Sequence, residues 1–77
     1  MVQAYILIQT EVASSSRVAE AVRGIVGVIR ADDVTGPYDV IVHAEAEDVD
    51  ALGKMVVAKV QAVPGITRTL TCPVVRL

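Results

Sequence analysis

An α+β sandwich of order β-α-β-β-α-β, with both helices on one face of an antiparallel sheet, is the fold this sequence predicts. Three observations carry it. Apolar periodicity alternates between the two-residue rhythm of strands and the helical rhythm along the chain. A Gly-Pro turn joins two adjacent strand patterns. The motif Gly27-Val28-x-Arg30 recurs as Gly65-Ile66-x-Arg68, and 65 minus 27 is 38, about half of the 77 residues. Two βαβ halves joined through a hairpin make the ferredoxin-like arrangement.

The elements follow in order. Residues 2–9 (VQAYILIQ) are apolar and β-branched with no helical stripe, so they read as a strand covered on both faces. Ser14, Ser15 and Ser16 supply N-cap candidates, and Val18, Ala21, Val22 and Ile25 follow at i, i+3, i+4 and i+7. They predict an amphipathic helix that ends near Gly24. Residues 28–35 read as a second strand, polar at Arg30, Asp32 and Asp33, and Gly36-Pro37-Tyr38 turns the chain into a third strand over 39–46. Glu47 and Asp48 place acid where a helix start favours it. Val49, Leu52, Val56, Val60 and Val63 then form a core stripe, with Lys54 and Lys59 outside it and Pro64-Gly65 ending the helix. Residues 66–77 alternate Thr67, Thr69 and Thr71 against Arg68, Leu70 and Cys72 before Pro73, a proline that suits an edge strand.

This order leaves one face of the sheet bare. Strand one presents Val2, Ala4, Ile6 and Ile8 to one side and Tyr5 and Leu7 to the other, and strand three presents Val40, Val42 and Ala44 against Ile41 and His43. Two helices on one face cover only one of these rows, so the sheet is expected to dimerise through the other. Composition points the same way. The chain is 53% apolar and 21% charged, which excludes a disordered segment, yet 16 valines and only two aromatics, Tyr5 and Tyr38, make a core of small side chains. A domain of roughly 60 to 80 residues without staples sits near break-even between burial and chain entropy, so self-association is the expected further source of stability.

The net charge of -2, without a Lys/Arg cluster, argues against direct nucleic-acid binding. Cys72 has no partner for an internal disulfide, and no Cys or His residues stand at metal-ligand spacing, so the expectation is a reduced, cytoplasmic protein without metal or cofactor. No stretch approaches the roughly 20 apolar residues of a membrane span. Residues 35–39 hold a flexible Gly, a rigid Pro, an aromatic and a carboxylate in five positions. They read either as a hairpin turn capped by Asp39 or as a pocket whose amides receive a carboxylate while Asp39 meets an ammonium group. His43, alone in an apolar strand, reads as a packed residue with one satisfied nitrogen, and Cys72 has no basic neighbour in sequence to activate it. Glu45, Glu47, Asp48 and Asp50 read as a solvated helix start rather than a metal cluster.

The run Val34-Thr35-Gly36-x-Tyr38-Asp39-Val40-Ile41-Val42, followed by Val63-Pro64-Gly65-Ile66-x-Arg68-Thr69-x-Thr71, closely resembles the C-terminal effector-binding (RAM) domain of the leucine-responsive/asparagine (Lrp/AsnC) transcription factors. The likeness runs from Ala4-Tyr5-Ile6-Leu7-Ile8 to Val74-Val75. It implies a single domain over residues 1–77 without a DNA-binding helix-turn-helix, a non-enzymatic regulatory module that binds an amino acid. It further implies sheet-packed homodimers assembling into octamers or decamers, with a full-length Lrp/AsnC regulator as a candidate partner. The effector would lie between dimers, held by Thr35, Gly36, Tyr38 and Asp39 of the turn and by Thr69 and Thr71 of the last strand, with Met55 and Lys59 facing the same pocket. Pro37 departs from the polar residue often found at that position, removing a backbone donor and stiffening the turn. Two rival readings share the topology: a cofactor-free dimeric α+β barrel enzyme, which would use His43, Tyr5 and Cys72, and an ACT-like regulatory domain, which would not require the T-G-x-Y-D turn.

Overall fold

The apolar, β-branched run over residues 2–9 forms the central strand, hydrogen-bonded on both edges. In the computed structural model, which describes residues 1–76, β1 (Val2–Thr10) pairs antiparallel with β3 (Val40–Ala46) on one side and with β4 (Ile66–Pro73) on the other. The hairpin partner β2 (Val28–Asp33) completes a four-stranded sheet of order β2-β3-β1-β4. The helix α1 (Ser15–Arg23) joins β1 to β2. The helix α2 (Val49–Met55), continued by a π-helical stretch over Val56–Val60, joins β3 to β4. No helix among the described residues is long and apolar enough to cross a membrane.

The register decides which rows are buried. Ile6 stands opposite Val42 and Ile8 opposite Val40, and this row, with Ala4, Ala31 and Ala44, is closed off by Val18, Ala19 and Val22 of α1 and by Val56 and Val60. Small branched side chains fill the core, as the valine-rich composition requires. On the helices the burial differs in detail from the expected stripes. Ala19, not Ala21, is buried on α1, since α1 lies with its Val18–Val22 edge down and turns Ala21 to solvent. Val49, expected in the core stripe, is 63% exposed at the first turn of α2, and Leu52 one turn later is buried. The second helix also ceases to be α-helical at Met55, and the bond from Gln61 N–H to Val56 C=O (2.9 Å) spans five residues instead of four.

Capping also differs between the helices. Asp48 caps α2 through its side chain, accepting from the Ala51 N–H at 2.7 Å. Ser14 holds the N-cap position of α1 without a side-chain cap, because it is buried and its Oγ accepts from Arg17 Nη2 at 3.3 Å. β2 ends at Asp33 and β4 at Pro73, shorter than the expected 28–35 and 66–77. Leu77 lies outside the described residues.

The sequence echo has a structural cause. Gly27 and Gly65 both sit at φ +97°, each at the start of the strand that follows a helix, and each offers its carbonyl to a strand or loop amide: Glu45 N–H to Gly27 O and Glu11 N–H to Gly65 O, both 2.8 Å. A Cβ on Gly27 would come within 2.7 Å of the Glu45 carbonyl oxygen, and one on Gly65 within 3.2 Å of Ser14 Cβ. Gly24, at φ -79° with only ordinary contact to Ala21 O at 3.5 Å, is free of both constraints. Gly27→Ala is therefore expected to lower stability by about 2 kcal/mol, whereas Gly24→Ala should be neutral or raise it by about 0.5 kcal/mol. Urea denaturation of both variants at one protein concentration checks the contrast, and equal midpoints would refute it.

Candidate functional site

The turn between β2 and β3 is strapped down rather than loose. Val34 N–H donates to Asp39 O (2.9 Å) and closes the loop, while Asp39 N–H donates to Ile8 O (2.8 Å) at the end of β1. The carboxylate of Asp39 accepts the Thr10 N–H at 2.7 Å through Oδ2, and Gln9 Nε2 donates to Pro37 O at 3.0 Å. Two consecutive residues of β1 thus hold the limb of the turn that leads into β3. Thr10 needs such a partner because its pairing with β4 shifts register after Gln9, which interrupts the ladder there. Asp39 therefore caps the turn region, though through the backbone of β1 instead of its own. Gly36, at φ +141° with no heavy atom within 4 Å of a Cβ built on it, is required by backbone geometry alone. Thr35 and Gly36 are exposed, and Tyr38 and Asp39 are half-buried.

Thr69 and Thr71 stand elsewhere. They pair with Ile8 and Ile6, so their side chains share the helix-covered face. Thr69 Oγ1 accepts from Gln61 Nε2 at 3.0 Å, and both residues line an open cleft of about 200 Å³ with Ile66, Thr67 and Arg68. No turn residue lines it. The turn joins β2 to β3, and β1 separates β3 from β4, so one chain does not bring the six predicted residues into one pocket. Met55 and Lys59 do not meet the turn either. Met55 lines an apolar concavity of about 440 Å³ with Met1, Val26, Glu45 and Ala51, and Lys59 lines a neighbouring one of about 250 Å³ with Gly24, Ile25 and Val26. Arg68 belongs to the repeated motif without being assigned to a site, and Gln61 is absent from the sequence-based set; its place as a polar residue just after the stripe valine Val60 is the available signal.

On the bare face of the sheet, Tyr5 is 45%, Leu70 42% and Ile41 38% exposed. They stand side by side with Leu7, since Leu7 pairs with both Ile41 and Leu70. The rings of Tyr5 and His43 stack at 4.8 Å between centroids and 13° between planes, and His43 Nε2 lies 3.2 Å from Gln3 Oε1. Cys72 is an exposed free thiol opposite Tyr5, on the far side of β1 from His43. His43 thus meets an amide oxygen and a ring face, a packed arrangement with one nitrogen engaged, and it holds neither Cys72 nor the Tyr5 hydroxyl as a nucleophile. Among the described residues no three His, Cys, Asp or Glu side chains gather as a metal site.

A family model, the Lrp/AsnC ligand binding domain, matches residues 3–77. The chain belongs to this family. Solved structures agree: TTHA0845 from Thermus thermophilus is 28% identical with a TM-score of 0.93, all of this chain aligning with 96% of that one. The hypothetical protein PHS023 from Pyrococcus horikoshii is 30% identical with a TM-score of 0.91, all of this chain aligning with 93% of it. The transcriptional regulator NMB0573 from Neisseria meningitidis, solved as an L-Met complex, shares the fold at 22% identity and a TM-score of 0.83, 97% of this chain aligning with 50% of that one. None of the curated proteins matches the sequence.

As an Lrp/AsnC ligand-binding domain, the chain is a regulatory ligand-binding module, and its strapped turn is the local feature most open to test. Replacing Asp39 by Ala leaves the half-buried Thr10 N–H without its acceptor, whereas Asn keeps an oxygen in place. Asp39→Ala should lower stability by about 1 to 3 kcal/mol and Asp39→Asn by less than half as much. Thermal or urea unfolding of the pair gives the answer, and an Asp39→Ala as stable as the parent protein would show that the bond holds nothing together.

Proposed function

We propose that this Lrp/AsnC domain senses an amino acid and works through assembly of its own copies. The apolar row of Tyr5, Leu7, Ile41 and Leu70 is the observation that carries the assembly half: both helices cover the opposite face, and four neighbouring apolar residues are left half in water. A second copy offers the same row and covers it with no new chemistry, by a two-fold contact. A full-length regulator of the family would present an equivalent face, which makes it a candidate partner.

The sensing half rests on the turn. Among the described residues, the amides of Thr35, Gly36 and Tyr38 take no part in the backbone hydrogen bonds that close the loop, so they are free to receive a carboxylate. Pro37 adds no donor but holds the loop in shape, which lowers the ordering cost of binding. Thr69 and Thr71 lie beyond β1, so a pocket made of both groups needs residues from more than one copy. The family's NMB0573 fold neighbour was solved with L-Met, which supports an amino acid as the ligand class.

Native mass spectrometry of the protein with each of the twenty amino acids tests both halves at once. At least one should bind at a fixed ratio per assembly, and Gly36→Val, which forces a β-branched residue to φ +141°, should weaken that binding more than ten-fold without dissociating the subunits. A panel with no bound amino acid would sink the sensing half. Separately, light scattering at micromolar concentration should give a multimer for the parent protein and a smaller species for Leu7→Glu. A folded monomer of the parent protein would sink the assembly half.

A further inference from the structure

We propose that His43 makes assembly through the open sheet face dependent on pH, tight when the imidazole is neutral and weakened when it takes up a proton; this rests on the reading that a second copy covers that face. His43 lies inside the patch, in register between Tyr5 of β1 and Arg30 of β2. Its ring is half-buried already, one face against Tyr5 and Nε2 against Gln3 Oε1. A shallow hollow of about 280 Å³, lined by Tyr5, Arg30, Asp32, Ile41 and His43, opens on the same face. A covering subunit would remove water from that hollow and from the free side of the ring.

The charges around the ring do not decide the matter. Arg30 Nε is held by Asp32 Oδ2 at 2.7 Å, so this cation and this carboxylate offset each other. Glu45 follows two residues along β3 on the same face, opposite Gln3, and Arg76 Nη2 lies 3.5 Å from Gln3 Oε1, so one charge of each sign stands on that side of the ring. On the β4 side the nearest titratable group is the thiol of Cys72, one strand beyond Tyr5. Both helices lie on the other face of the sheet. The Tyr5 ring favours a cation slightly, but loss of solvent disfavours the charged form of an imidazole and is the larger effect once the face is covered.

The sign follows by linkage. If the assembled state holds the neutral ring and the separated state accepts a proton, association is strongest at high pH and is lost as pH falls through the range in which imidazoles protonate, about 7.5 to 5.5. A two-fold contact contains two His43 rings, so association falls by up to about 100-fold per pH unit in the lower part of that range. The non-titrating His43 variants separate the imidazole from any other group that titrates in this range, the α-amino group included. A glutamine amide in place of the ring would keep a polar partner for Gln3 and would not titrate.

Sedimentation equilibrium at constant ionic strength, at pH 7.5 and 5.5, tests this on the parent protein, His43→Gln, His43→Leu and Leu7→Glu. Leu7→Glu reports on the face itself: if it associates as tightly as the parent, the face is not the contact and both readings fall. With Leu7→Glu dissociated, the proposal expects the parent to associate at least ten-fold more weakly at pH 5.5 than at 7.5. The folded non-titrating variants should change less than two-fold. A parent protein indifferent to pH, or variants that weaken as much as it does, would overturn the role of His43 while leaving the sheet-face reading intact.

Discussion

A strand that is apolar on both faces, in a chain with two short helices to cover it, is the constraint from which the rest of this structure follows. Successive residues of β1 point to opposite faces, so burying Ala4, Ile6 and Ile8 necessarily turns Tyr5 and Leu7 the other way. A one-residue slip would only exchange the rows. Both crossovers place their helices on the same face, and β3 repeats the two-sided pattern with Val40, Val42 and Ala44 against Ile41 and His43. Packing the core well therefore creates the bare face. At roughly 25 cal/mol per Å² of apolar surface removed from water, covering such a row would add stability to a small valine-rich core.

The same register places the turn. β1 runs past the end of β3 by two residues, Gln9 and Thr10, and these supply the amide and the side chain that hold Pro37 and Asp39. The logic of a ligand loop on a rigid scaffold is met here by hydrogen bonds 28 and 29 residues apart in sequence, not by the loop's own turn chemistry. Asp39 thereby acquires a structural task that its place in a T-G-x-Y-D motif does not reveal. Any contribution it makes to an effector comes through its other oxygen or through the shape it gives to the neighbouring amides.

What was legible in the sequence was periodic or local. A β-branched apolar run without a helical stripe marked β1, alternation marked β4, the hairpin turn marked the β2–β3 junction, and the repeated glycines marked two equivalent left-handed corners whose carbonyls both accept a 2.8 Å bond. Family membership was legible from the two motifs. What depended on long-range geometry was not. Ala19 and Ala21 are both two-sided choices on a short helix, and only the angle at which α1 meets the sheet buries one and exposes the other. The π-helical stretch after Met55 leaves no mark in a run of valines that would serve an α-helix as well. The separation of Thr69 and Thr71 from the turn by β1, in contrast, follows from the strand order of the expected ferredoxin-like fold and was implicit in it.

That separation ties sensing to assembly in the proposed mechanism. A pocket completed by a second copy exists only in the assembled state, so a ligand bound there stabilises assembly by RT ln(1 + [L]/Kd) and is itself bound more tightly as assembly advances. The two equilibria are reciprocal, and a change at the open face reaches the turn without any wire of contacts between them. Pro37 sharpens the coupling in one direction: a stiff loop binds or fails to bind with little adaptation, so the geometry of the neighbouring copy, more than flexibility of the turn, decides whether the site is competent. Strapping the turn to β1 extends this rigidity into the sheet. Since β1 carries Tyr5 and Leu7 on the bare face and Gln9 and Thr10 beneath the turn, one rigid strand carries both the proposed contact surface and the support of the proposed ligand loop.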